Sequence, residues 1–221
     1  MCIRDRLDPA DCGPACLSLC QDVQGETFEY PEEFFKERVH NIRRPKPDDF
    51  QIKQAVERIK NSKNPIIISG GGVFYSDAMD ELGNFAVKHN IPVTQTVMGY
   101  STMKRDHSHF VGPIGGLGGK AANNLAKETD LAICIGTKLA DFTTGSWANF
   151  ENPQFKLVSI NIARHDANKH LADAVIGDAK ISLIELSNAL GDWRSSDSWH
   201  KKSQDELNSW NEYVDLSLIH I

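Results

Sequence analysis

No apolar run in these 221 residues approaches the roughly twenty needed to cross a bilayer. The longest, NPIIISG at 64–70 and LAICIG at 131–136, are the length of strands. Basic charge is also short: 24 Lys and Arg stand against 30 Asp and Glu, a net charge of -6. The basic face with which proteins grip nucleic acid is therefore not expected. The charged opening segment lacks the pattern of a secretory leader. These absences lead to the expectation of a cytoplasmic protein with no nucleic-acid partner and no membrane partner. Cysteine is sparse as well, five in all, with three at Cys12, Cys16 and Cys20. In a helix that spacing would stack three thiols on one face as a soft-metal site. The stretch GPACLSLC follows a Gly-Pro and alternates, however, so it reads as a short buried strand with Cys as a small apolar residue. Cys134 reads the same way, and no metal ligand is expected.

What is present is a repeating alternation. In DFQIKQAVERIKNS, Ile52, Ala55, Val56 and Ile59 fall on one helical face. The apolar NPIIISGGG follows as strand and glycine turn. Then comes SDAMDELGNFAVKHN, with Ser76 as the expected N-cap and Ala78, Met79, Leu82, Phe85 and Ala86 as its stripe. Further along, IPVTQTV, LAICIG, FKLVSINI and DAVIGD read as strands, while GKAANNLAKETD, RHDANKH and AKISLIELSNAL read as helices. Near-continuously apolar strands separated by helices imply βαβ crossovers and a parallel sheet covered on both faces. The fold class expected for residues 49–190 is α/β, a doubly wound, Rossmann-like parallel sheet.

The flanks read differently. Residues 25–48 carry Pro31, Pro45 and Pro47 amid dense charge, the composition of a linker around a short helix. Residues 7–24 are expected to be the remnant strand of a preceding domain, since a lone strand needs a sheet to pair with. Residues 191–215 carry Trp193, Trp199 and Trp210 in a polar, helical tail. These serve either as anchors for a partner surface or as packing against the domain itself. The ends MCIRDR and LSLIHI back-translate to inverted copies of a transposon-end repeat, so residues 1–6 and 216–221 are expected to derive from a sequencing adapter.

Several segments are candidates for a site. Gly70, Gly71 and Gly72 lie between a strand and a helix, where backbone amides can approach a phosphate. GLGGKA, with Gly116 and Gly118, matches the GxGxxA variant and opens a helix, but HSHFVGPIG before it does not read as a strand. His107 and His109 form an HxH pair without carboxylate or thiol at ligand spacing and read as loop histidines. DFTTGS, with Asp141, Thr143 and Thr144, follows LAICIG at the carboxyl end of a strand, where open α/β sheets bind ligands. No catalytic triad or dyad follows from spacing.

The strings GPACLSLCQDVQGETFEYPEEFFKERVHNIRRPKPD, GGGVFYSDA, GTKLADFTTGS and INIARHDANKH resemble the thiamine-diphosphate enzymes. The resemblance is strongest to a branch that hydrolyses a carbon–carbon bond of a cyclic dione in inositol catabolism, giving 5-deoxyglucuronate. It implies an enzyme of pyrimidine-binding, central and diphosphate-binding domains, with thiamine diphosphate as electron sink and Mg2+ bridging its diphosphate. Residues 7–24 then resemble the end of the first domain, 49–190 the central one, and 191–215 the lead into the third. The glutamate that protonates the aminopyrimidine and the GDG…N metal motif have no counterpart in this sequence, so the fragment alone is expected to be inactive. Flavin-containing relatives bind a dinucleotide through turns corresponding to SGGG, GGLGGK and INIARHD; Asn161 stands where they tend to be acidic, so FAD is not expected. The resemblance implies a homodimer or homotetramer. An acetolactate-synthase-like carboligase or decarboxylase, and a stand-alone nucleotide-binding module, are the alternatives.

Overall fold

The computed structural model describes residues 6–216. The adapter assignment at the two ends lies outside the described residues, Arg6 and Leu216 excepted. The chain divides into a small unit ending at Arg43 and a larger one beginning at Arg44.

In the small unit, helix α1 (Gln21–Gln24) and a 3-10 turn at Glu32–Phe35 are the regular elements. Tyr30 gathers Phe28, Phe34 and Phe35 around it at ring-centroid distances of 5.3, 4.9 and 6.0 Å, yet all four stay exposed. The strand expected within residues 7–24 is not formed. Residues 12–20 are irregular and exposed, as are the free thiols of Cys12, Cys16 and Cys20. A strand is held by its ladder, and among the described residues of this unit there is no second strand to supply one.

The larger unit is built on a six-stranded, all-parallel sheet of order β3-β2-β1-β4-β5-β6. Its strands are β1 (Pro65–Ser69), β2 (Val93–Gln95), β3 (Phe110–Pro113), β4 (Leu131–Ile135), β5 (Lys156–Asn161) and β6 (Asp173–Ile176). The order reverses between β1 and β4, which pair from Pro65 with Leu131 to Ser69 with Ile135. Alternation along β1 divides the core. Ile67 faces α2 (Asp49–Lys60), α4 (Met79–His89) and α8 (Ala179–Leu190), while Ile66 and Ile68 face α5 (Lys120–Glu128) and α9 (Asp197–Asp215). The doubly wound sheet is thus present with helices on both faces.

Local chemistry fixes the element ends. Asp48 caps α2 by accepting from Phe50 N at 2.9 Å. Asn90 closes α4 in the left-handed conformation (φ 54°), which Asn tolerates better than most residues. Asp178 accepts from the amides of Lys180 (3.0 Å) and Ile181 (3.2 Å) at the start of α8. The same carboxylate takes Arg44 Nη1 at 3.1 Å, so the segment leading into α2 is pinned to the carboxyl end of β6. Ser76 does not cap α4: the N-cap position is Ala78, and the Ser76 hydroxyl instead accepts from Ala179 N at 3.3 Å. The reason lies just before it, where Gly71–Tyr75 form a short helix α3 of their own and displace the start of α4.

The tail of the unit is the long helix α9. Trp199, 4% exposed, donates its indole N–H to the Pro65 carbonyl at 2.9 Å. Trp210 packs over Gly119, and Trp193 lies against the opposite core. All three tryptophans therefore pack on this unit.

Candidate functional site

In an open parallel sheet the crevice for a ligand opens at the carboxyl ends of the strands, where the strand order reverses. Here that place is the junction of the turns after β1 and β4. Gly70, Gly71 and Gly72 carry the chain out of β1 into α3, and Gly136 ends β4 with φ +60°. A Cβ on Gly72 would lie 2.5 Å from the Gly136 Cα, and one on Gly70 would strike the Gly136 carbonyl. The two turns interlock backbone to backbone, which only glycine at these positions allows. Three of their four glycine amides are engaged: Gly70 N donates to Ile135 O (2.8 Å), Gly72 N to Gly136 O (2.9 Å) and Gly136 N to Ile160 O (2.8 Å).

The second glycine stretch follows a strand after all, since β3 ends at Pro113, two residues before Gly115. A four-residue edge strand containing Gly112 (φ +108°) and Pro113 has little strand character to read. The amide of Gly116 donates to Phe142 O at 2.8 Å and that of Gly118 to Gly115 O at 2.9 Å. Asn123 clamps the turn from α5 with both ends of its amide, accepting from Gly115 N (2.9 Å) and donating to Gly115 O (3.0 Å). Sequence reasoning passed over Asn123; the one signal was a poor helix former in the second turn of a helix.

Asp141, Phe142, Thr143 and Thr144 form the short helix α6 (Asp141–Thr144), which lies against the Gly115–Gly116 turn. Thr143 and Thr144 are buried, whereas Asp141 is exposed and accepts from the Ser146 hydroxyl at 2.8 Å. Asn161, at the end of β5 and just ahead of the short helix α7 (Arg164–Ala167), donates to Thr137 O (3.1 Å) and accepts from Ala163 N (3.0 Å). An aspartate there would lack the donor that the Thr137 carbonyl needs. The structure thus joins Gly70–Gly72 to Gly136, and Gly116 to the Asp141–Thr144 helix, as neighbouring turns along one edge. Gly70, Gly72, Gly116 and Gly118 spend their N–H groups on the protein's own backbone.

The HxH pair lies elsewhere, ahead of β3. His109 is 6% exposed, places Nε2 3.2 Å from Asn90 Oδ1, and stacks on His200 of α9 with ring centroids 4.2 Å apart. Burial, reinforced by His200, His107 and Arg194, pushes its pKa down to about 4. Burial also lowers the pKa of His200. These rings are packing groups across the α9 contact.

Among the described residues no group of three or more His, Cys, Asp or Glu side chains could hold a metal ion. With four glycine amides also internally bonded, the donor set does not fit a metal-bridged diphosphate. At the end of β2 the buried acceptor Gln95 Oε1 has no hydrogen-bond partner. It is a single neutral oxygen and cannot by itself grip an anion. No helix among the described residues is long and apolar enough to cross a membrane.

Residues 52–186 match the family model described as thiamine pyrophosphate enzyme, central domain. The chain is also similar to proteins named 3D-(3,5/4)-trihydroxycyclohexane-1,2-dione hydrolase. The relative from Clostridium perfringens (strain 13 / Type A) is 42% identical over 93% of this chain and 32% of its own length. That from Clostridium botulinum (strain Alaska E43 / Type E3) is 44% identical with the same coverage, 93% and 32%. That from Bacillus cereus (strain AH820) is 41% identical over 96% of this chain and 33% of its own. The chain spans about a third of the length of the curated relatives it matches.

Proposed function

The chain belongs to the thiamine pyrophosphate enzyme family, whose central domain it contains, and from that premise we propose that it is the middle third of a hydrolase acting on 3D-(3,5/4)-trihydroxycyclohexane-1,2-dione. The observation that carries this reading is identity of 41–44% across at least 93% of the chain to relatives bearing that name. The parent cleaves a carbon–carbon bond of the cyclic dione in inositol catabolism, in the cytoplasm, as a homodimer or homotetramer. It uses thiamine diphosphate, with Mg2+ on the diphosphate.

In this reading the present residues do no bond chemistry. The donor set described above does not fit the cofactor, so the groups that hold it belong to the remainder of the parent. What this chain contributes is a rigid sheet with both faces filled and its glycine turns locked together, a body against which mobile substrate-bearing parts can be positioned. The free-standing chain is then inactive, and Gly70–Gly72, Gly116, Gly118, Asp141, Thr143 and Thr144 shape the carboxyl edge of the sheet.

Two proteins test this, the 221-residue chain and the full-length product of its gene. The longer protein is expected to open the ring of the dione in the presence of thiamine diphosphate and Mg2+. The shorter one is expected to show neither turnover nor calorimetric heat with the cofactor. Turnover by the shorter chain would overturn the assignment of the cofactor groups. Carboligation of pyruvate by the longer one, with no action on the dione, would move the parent to the acetolactate-synthase type. Saturable nucleotide binding by the shorter chain would favour a nucleotide-binding module instead.

A further inference from the structure

The carboxyl edge of the sheet exposes six large apolar side chains, with the exposed Lys138 and Asp141 on the same loops. Phe74 and Tyr75 follow β1, Met98 and Tyr100 follow β2, Leu117 follows β3 and Phe142 follows β4; their exposures run from 56% to 77%. The loops that carry them touch. A Cβ on Gly71 would lie 3.0 Å from Met98 O, one on Gly72 would lie 2.5 Å from Gly136 Cα, and Gly115 abuts the Phe142 carbonyl. The six side chains are therefore borne on adjoining loops along one edge. At about 150–250 Å² for each large side chain, their exposed part amounts to on the order of 800 Å². That sum is about what one partner contributes to a specific interface.

We propose that this rim is the docking surface for the cofactor-carrying remainder of the parent enzyme. The proposal rests on the reading given under Proposed function. Two observations choose this occupant. The matched relatives are about three times the length covered here, so twice as much chain again is available to cover the edge. And the rim lies at the carboxyl ends of the strands, where α/β sheets meet ligands, while the amides of Gly70, Gly72, Gly116, Gly118 and Gly136 behind it are engaged. The edge placed to face a ligand is thus furnished with apolar side chains, which suit a protein surface.

The test is alkylation of Met98→Cys and Leu117→Cys, read peptide by peptide by mass spectrometry and normalised to Lys53→Cys on the exposed face of α2. Both rim positions are surface side chains whose replacement leaves the core untouched. Each is expected to react at least tenfold more slowly in the full-length protein than in the 221-residue chain. Equal rates in the two proteins would overturn the proposal. So would protection within the short chain that grows with its concentration, since the occupant would then be a second copy. Turnover of the dione by the full-length protein is measured separately. Protection without turnover would remove the functional reading and leave the docking surface standing; turnover without protection would do the reverse.

Discussion

His109 shows how a single side chain can tie stability to pH. Its ring is held between Asn90 Oδ1 and the Ser108 hydroxyl, at 3.2 and 3.0 Å, and stacks on His200. Burial comes first among the causes that lower its pKa to about 4, followed by His200, His107 and Arg194. Burial likewise lowers His89, against the opposing effect of the Trp193 carbonyl that it meets at 2.7 Å. An unfolded histidine takes its proton near pH 6.5, and folded His109 does not until about pH 4. Between those values the unfolded chain binds more protons, so stability is fully present above the unfolded pKa and is lost as pH falls through this window. At about 1.4 kcal/mol for each pH unit crossed, the loss attached to His109 amounts to roughly 3 kcal/mol by the bottom of the window. Urea titrations at pH 7.0 and 4.5 are expected to show a smaller difference for His109→Gln than for the parent chain. Parallel pH profiles for the two would sink the idea. None of this was legible in the sequence. His107 and His109 announce themselves as an HxH pair, but the partner that matters, His200, is 91 residues away on a helix whose docking the local pattern does not reveal.

At the scale of elements, the periodic pattern was readable wherever burial on the sheet decides it. The stripe of Ile52, Ala55, Val56 and Ile59 is the buried face of α2, and Leu82, Phe85 and Ala86 do the same for α4. It failed where tertiary pairing decides. β3 exists because β2 offers an edge, with a register shift between Val93 and Thr94 that its own residues do not foretell. The GPACLSLC segment has alternation but no ladder, and stays irregular. The tail helix α9 lay between these cases: its tryptophans were visible, their destination was not. Trp199 fixes that helix to the start of β1 through the Pro65 carbonyl. Trp199→Phe keeps most of the apolar area and removes the donor, so it is expected to cost about 1–3 kcal/mol. Trp199→Ala removes the packing too and is expected to cost about 3–5 kcal/mol. Chemical denaturation measures both; no loss for Trp199→Phe would mean that the hydrogen bond contributes nothing, and equal losses that the packing adds nothing to it.

On the scale of the whole molecule, the two units differ in what they bury. Through Arg43 no described residue is buried, whereas the unit beginning at Arg44 closes cores on both sides of its sheet. Apolar burial is the main favourable term in folding, so the first unit has little to resist local opening while the second unfolds as one body. The sequence makes this testable with trypsin. Lys36, Arg38 and Arg43 lie in exposed, irregular backbone. The bonds after Arg44 and Lys46 are shielded because Pro45 and Pro47 follow them, and the next basic residue, Lys53, lies inside α2. Brief digestion is therefore expected to remove the first 43 residues and leave a resistant product that starts at Arg44. That product retains α9, because Lys201 and Lys202 sit in a helix docked by Trp199, and Lys202 is paired with Glu128 of α5. N-terminal sequencing and mass of the product decide the matter. Early cleavage at Lys201 or Lys202 would show that α9 is not part of the cooperative body. First cuts between Lys53 and Lys63 would show that α2 opens before the segment ahead of it, against the ordering that burial dictates.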